Sequence, residues 1–189
     1  MSNSAGIFDQ LILEVPMVLP GLFIIVGSLS GPVCTEPQWQ RYTPEDARFE
    51  ISMPAEPKFS LQYIDTGKNM LPLNMVSANP DMRDDFLVSW TDYSKAAKMP
   101  TASDRTFDKM RDALAHQKNA KVLSERSVTL RGNPGRFFTM RTEDGQVADV
   151  VFYFTRSRVY QVMAQTRCGD ESKQSRERFI ESFKLTSDT

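Results

Sequence analysis

The sequence predicts an α+β domain, and three observations predict it. From Leu130 to Thr166, three strand-like runs are separated by the turn signals Asp144-Gly145 and Arg156-Ser157-Arg158, which makes a β-meander. Four further strand-like runs precede it between Phe49 and Tyr93. Helical periodicity appears in two places, once between these two groups of strands and once at the end of the chain. Antiparallel runs with helices inserted and appended are the pattern of an α+β domain.

Taken in order, Phe49–Met53 alternates apolar and polar and is closed by Pro54, which suggests a first strand at a sheet edge. Phe59–Ile64 alternates with Phe59, Leu61 and Tyr63 on one face, and Asp65-Thr66-Gly67-Lys68 turns the chain. Met70–Ala78 is apolar but carries Pro72, so an irregular strand is expected. Asn79-Pro80-Asp81 is a further turn, and Phe86–Tyr93 is a strand with Phe86, Val88 and Trp90 on a shared face. Between Ser103 and Asn119 the period becomes helical: Phe107, Met110 and Leu114 form one stripe with Ala113 beside it. Thr101 or Ser103 can cap this helix, and Asp104 suits its positive end.

Val122–Leu130 and Arg136–Thr142 are strands around the turn Gly132-Asn133-Pro134-Gly135. Val147–Thr155 is apolar on both faces, the mark of a central strand covered twice. Val159–Thr166 runs back with Tyr160, Val162 and Ala164 aligned. A closing helix starts near Asp170 or Ser172 and buries Phe179, Ile180 and Phe183, with Leu185 continuing the contact.

The 189 residues suffice for one domain plus a tail, which places the domain at 45–189. A net charge of −1 provides no field to attract nucleic acid, and no nucleic-acid partner is expected. Val15–Leu29 is uncharged and largely apolar. It is short for a membrane span and suits the core of a secretory signal, so residues 1–30 are read as a signal peptide or a membrane tether. Asp9 and Glu14 stand where a signal peptide carries positive charge, which leaves a buried apolar segment or a misplaced start as the other readings. Residues 31–44 are polar and proline-bearing, an extended spacer. Cys34 follows Pro32 and Val33, a poor match to a lipid-attachment site; in an exported protein a Cys34–Cys168 disulfide is permitted.

FEISMP near the start of the domain, the strand FLVSW, the helix at 103–119, LRGNPGR, the meander ending in RVYQVMA and the closing FIESFKL together carry a resemblance. Over residues 42–186 the chain resembles the PsbP-like superfamily, which includes the photosystem II extrinsic protein and a Ran-binding nuclear import factor. It is most similar to the bacterial exported or lipoprotein members of unassigned role. The resemblance implies a mostly antiparallel sheet with helices on both faces, an α/β/α sandwich. It transfers no functional residue, because its motifs are turn glycines and core aromatics.

Few residues invite a chemical role. His116 lies near a helix end, and the carboxylate pairs Asp84-Asp85 and Glu143-Asp144 lie at turns or strand starts. Asp81 with Asp84 and Asp85 does not have the spacing of a calcium loop, and no metal or cofactor motif is present. Asp149 interrupts an apolar strand; it is expected to pair with Arg141 on the neighbouring strand or to line a pocket. With Arg136, Arg156 and Arg158, these two residues make the candidate binding surface, since clustered arginines recognise carboxylates, phosphates or acidic partners. The functional expectation is a non-enzymatic, extracytoplasmic binding or accessory module, its partner a protein or a small anionic ligand. The alternatives are an enzyme whose acid–base or metal site the sequence does not display, and a cytosolic partner-binding domain.

Overall fold

The computed structural model describes residues 38–65, 70–80, 84–96, 98–167 and 172–186. The apolar leader, Cys34, Cys168 and the first part of the spacer lie outside the described residues. The elements in order are β1 (Gln40–Tyr42), β2 (Phe49–Met53), β3 (Lys58–Asp65), β4 (Met70–Ala78), β5 (Asp85–Asp92), α1 (Asp104–Gln117), β6 (Ala120–Leu130), β7 (Asn133–Thr142), β8 (Val147–Phe154), β9 (Arg158–Thr166), α2 (Lys173–Ser182) and β10 (Lys184–Leu185).

Seven strands form one antiparallel sheet in the order β3-β4-β5-β9-β8-β7-β6. The chain lays down β3 to β5 as neighbours, crosses the sheet through α1 to the far edge, and returns inward from β6 to β9. One seam, β5 against β9, joins the two halves, with Asp92 opposite Arg158 at one end and Asp85 opposite Gln165 at the other. The near end of this seam is fastened by the Arg158 Nε–Asp92 ion pair at 2.8 Å and by the Tyr93 N–H to the Ser157 carbonyl at 2.7 Å.

Both faces of the centre are buried. Side chains 148, 150, 152 and 154 of β8 join Phe138, Met140 and Met163 against Phe107 and Leu114 of α1. On the opposite face Val151, Tyr160, Val162 and Ala164 meet Phe49, Ile51, Phe179, Phe183 and Leu185 from β2, α2 and β10. The two-sided burial expected of Val147–Thr155 holds over Val147–Phe154, where Tyr153 alone is only partly buried. Ser103 caps α1 by accepting the Thr106 N–H, while the apolar stripe faces the sheet and His116 faces solvent in the last turn.

Three expectations change. β2 is no edge strand of the main sheet: it is the middle strand of a second, three-stranded sheet, β1-β2-β10. The alternation of FEISM is satisfied by packing on the main sheet rather than by joining it. β4 is regular, because its pairing with β5 starts only at Leu73, beyond Pro72, so the missing N–H interrupts no doubly paired stretch. The spacer does not extend to Pro44: β1 pairs with β2, and the Trp39 ring packs edge-on against Phe86 with centroids 5.9 Å apart.

Gly135 in β7 sits beneath Tyr153, which stacks on Phe183 with ring planes 5° apart. A Cβ there would lie 2.6 Å from both the Phe152 carbonyl oxygen and the Tyr153 ring, and neither can move freely. Gly135→Ala is expected to cost about 1–3 kcal/mol of unfolding free energy through overpacking, measured by urea denaturation. An unchanged midpoint would contradict this packing.

Candidate functional site

Beside α2, the face of β6–β8 is not closed. The reason begins in β6, where Val122 pairs with Met140 but Ser124 already pairs with Thr139, so Leu123 is an extra residue. The bulge keeps Val122 and Glu125 on the α1 side and pushes Leu123 out, where it is 50% exposed. Along β7, Phe137, Thr139 and Arg141 alternate onto the opposite side, and along β8 Val147 and Asp149 do so. α2 closes this side with Lys173, Arg176, Glu177, Ile180 and Glu181. The result is a pocket of about 420 Å³ with an apolar lining of Leu123, Phe137, Val147 and Ile180. That size suits a small ligand. A shallower hollow of about 340 Å³ adjoins it and shares Leu123 and Arg141.

The inner wall is a buried ion pair. Arg176 is 2% exposed and Asp149 is 5% exposed. The Arg176 Nε donates to Asp149 Oδ2 at 2.9 Å, and its Nη1 donates to Thr166 Oγ1 at 2.8 Å. The Thr139 hydroxyl donates to Asp149 Oδ1 at 2.6 Å. Each carboxylate oxygen therefore has a donor, which a buried charge requires. The rim is cationic on the strand side. Arg126 lies over the Phe137 ring at 4.4 Å, and Arg141 is exposed with no ion pair among the described residues. On the helix side, Lys173 reaches Glu177 at 3.6 Å, with Glu181 beyond.

Only two of the five candidate surface residues share this site. Arg141 and Asp149 line it, yet they do not pair: Asp149 belongs to Arg176, and Arg141 lies across from Val147 instead. Arg136 is on the opposite face, bonded to Glu125 and Asp104 and stacked over Phe107 at 5.2 Å. It helps to hold α1 on the sheet together with Arg111, which also binds Glu125. Burial alone would raise the Glu125 carboxyl, but the hydrogen bonds and charges of Arg136 and Arg111 outweigh it and hold it below its ordinary value. Arg158 is buried and fixed by Asp92 and the Asp46 carbonyl, and Arg156 is exposed at the same tip, roughly 23 Å along the strand from Asp149. The arginines that looked like one rim serve three places.

The carboxylate pairs have local duties. Asp84 accepts the Arg167 N–H at 2.9 Å, Asp85 faces Lys118 at 3.8 Å, and Asp144 accepts from Thr142 and Gln146 in the hairpin; Asp81 lies outside the described residues. Sequence reasoning missed Arg176, Arg126, Thr139 and Lys173. For Arg176 a signal existed: it stands three and four residues before Phe179 and Ile180, on the stripe expected to be buried. A charge on a buried stripe implies an interior partner, and Asp149 was the interior carboxylate at hand.

No family model matches the chain, and no curated protein sequence matches it. Among solved structures it is similar to cyanobacterial PsbP (CyanoP) from Synechocystis, with a TM-score of 0.49 and 15% identity, over 82% of this chain and 96% of that one. It is also similar to PA94 of Pseudomonas aeruginosa, a protein of unknown function, with a TM-score of 0.38 and 14% identity, over 74% of this chain and 88% of that one.

Removing one member of the buried pair leaves the other charge stranded. Asp149→Ala and Arg176→Ala are each expected to cost about 3–5 kcal/mol, whereas the paired change Asp149→Val with Arg176→Met is expected to cost less than either. Urea unfolding of the three variants checks this; additive losses in the double variant would show that the pair is not a coupled unit.

Proposed function

We propose that this domain is a non-enzymatic binding module that holds a small anionic ligand with an apolar body between α2 and β6–β8. The observation that carries the reading is the composition of that pocket: an apolar lining next to a strand-side arginine with no ion pair among the described residues, over an interior carboxylate that is already neutralised. Asp149 would repel an anion if bare, but Arg176 cancels its charge at 2.9 Å. Arg126 and Arg141 then stand at either end of the pocket; Arg126 is opposite Phe137, and Arg141 is four residues further along β7, about 13 Å away. A carboxylate, phosphate or sulfonate head can take a forked hydrogen bond from Arg141 while its apolar part lies on Leu123, Phe137 and Ile180.

The module is proposed to work outside the cytoplasm. Support for this is the uncharged, apolar run Val15–Leu29 ahead of a polar spacer. Among the described residues, no helix is long and apolar enough to cross a membrane.

Anilinonaphthalene sulfonate, an aromatic anion, is a suitable probe for the pocket. Its fluorescence titration is expected to weaken roughly 10- to 100-fold in Arg141→Glu, the range for losing one charge-assisted hydrogen bond. A Leu61→Ser control removes exposed apolar surface far from the pocket and is expected to leave the tightest binding phase in place. Equal titrations of wild type and Arg141→Glu would sink the reading. Location is tested separately: intact-mass measurement of the protein in cell fractions is expected to find it outside the cytoplasm, cleaved or tethered. Full-length protein confined to the cytosol would overturn that part alone.

A further inference from the structure

The alternation of β3 poses a question that the fold does not answer. Phe59, Leu61 and Tyr63 alternate as the apolar face of a half-buried strand would, yet they are 58%, 46% and 60% exposed, and Met70 beside them on β4 is 59% exposed. These are four of the five large apolar side chains found exposed among the described residues, and they lie on one face of one strand pair. The stripe continues the second face of the main sheet: Phe59 touches the Trp90 ring at 6.2 Å, but the layer of β1, β2, β10 and α2 does not reach further. β3 is also the end strand of the sheet, and no described strand pairs with its outer edge.

The two ends of this sheet are finished differently. β6, at the other end, carries a bulge with Lys121, Glu125 and Arg126 around it, the usual devices against edge-to-edge pairing. β3 pairs with β4 in unbroken register, and Phe59–Ile64 contains no charge. A long, regular, apolar edge of this kind is a template for another strand.

We infer that the occupant is a second copy of this chain, pairing β3 with β3 antiparallel about a two-fold axis through Leu61. Residues directly opposite in an antiparallel pair lie on the same face, which restricts the register. With Leu61 opposite Leu61, Phe59 meets Tyr63 on the apolar face and Ser60 meets Gln62 on the polar face. A shift of one residue in the partner sets Leu61 against Gln62 and Tyr63 against Ser60. Centring on Gln62 instead places Phe59 against Asp65. Leu61 is thus the centre about which the segment is self-complementary.

Aromatic side chains offer roughly 150–250 Å² each, so the exposed part of the stripe is on the order of 400 Å² per copy. Pairing edge to edge covers the backbone edge and the flanks of Phe59, Leu61 and Tyr63 but not their faces, and Met70 is one strand in from the edge, so the joint buries less than about 1,000 Å² in total, below a standard specific interface. The dimer is therefore weak, reversible and dependent on concentration, and it joins two seven-stranded sheets into one.

Full-length protein tests this. In sedimentation experiments wild type is expected to associate as concentration rises, and Leu61→Lys, which sets two lysines opposite each other, is expected to weaken association at least ~10-fold. The circular dichroism of the variant should be unchanged, because the side chain replaced is exposed. Register is tested with Leu61→Cys in a chain carrying Cys34→Ser and Cys168→Ser. A short bis-maleimide is expected to give a covalent dimer at position 61 and none for Leu123→Cys, which is equally exposed on the far edge. Association of Leu61→Lys equal to wild type, or equal cross-linking at 61 and 123, overturns the inference. So does a wild type that stays monomeric while Phe59 and Tyr63 become shielded only on adding lipid vesicles, which assigns the stripe to a membrane.

Discussion

β8 is apolar on both sides for most of its length, and a strand of that kind has to be covered twice. The chain meets the requirement asymmetrically. One face is closed by α1, a single amphipathic helix carried by the β5–β6 connection. The other is closed by segments from the two ends of the chain: β1 and β2 from before the main sheet, α2 and β10 from after it. The Tyr160 hydroxyl, donating to the Ala47 carbonyl at 3.0 Å, ties the early segment to the centre of the sheet. The Asp149–Arg176 pair does the same for α2, and as a buried charge pair it specifies position more than it adds stability.

That second cover is narrower than what it covers. Seven strands at about 4.8 Å spacing span roughly 29 Å, whereas three short strands and one helix reach about 20 Å. The mismatch appears at both margins. Towards β6 the uncovered part lies beside α2, and the bulge at Leu123 with the alternation of β7 lines it with guanidinium groups and apolar side chains. Towards β3 the uncovered part is flat, and apart from Asn74 and the terminal Asp65 it carries apolar side chains. The pocket and the exposed stripe thus share one geometric origin and differ because guanidinium groups line one margin and not the other.

Most strands and both helices were legible because their periods are clean: the main-sheet strands and both helices lie where the alternation, the apolar run of β8 or the helical stripe places them, β4 alone proving more regular than its Pro72 suggests. The second sheet was not legible, since FEISM reads identically whether it pairs with the main sheet or packs across it. Only the three-residue β1 and the two-residue β10, too short to show a period, reveal the difference. In the site, Asp149 stood out because a carboxylate in an apolar run has to be matched. Its partner was assigned to the adjacent strand, where Arg141 offered a charge of the right sign, although an exposed guanidinium does not neutralise a buried carboxylate. Arg176 does, and finding it requires the contact between α2 and β8, which spans 27 residues of sequence and has no local signature.

The β5–β9 seam has a consequence for how the chain reaches this arrangement. Within each half of the sheet every pairing is between neighbours in sequence, so both halves can form their hairpins with short loops. Within the main sheet the seam alone brings together residues far apart in sequence, and the entropy of closing such a loop grows as about (3/2)RT ln n. The separation is least where Asp92 meets Arg158 and grows steadily towards Asp85 and Gln165. The ion pair and the Tyr93–Ser157 hydrogen bond stand at the end where the loop to be closed is shortest, so the two local sheets are fastened by a charged clasp at the point where the chain joining them is least extended.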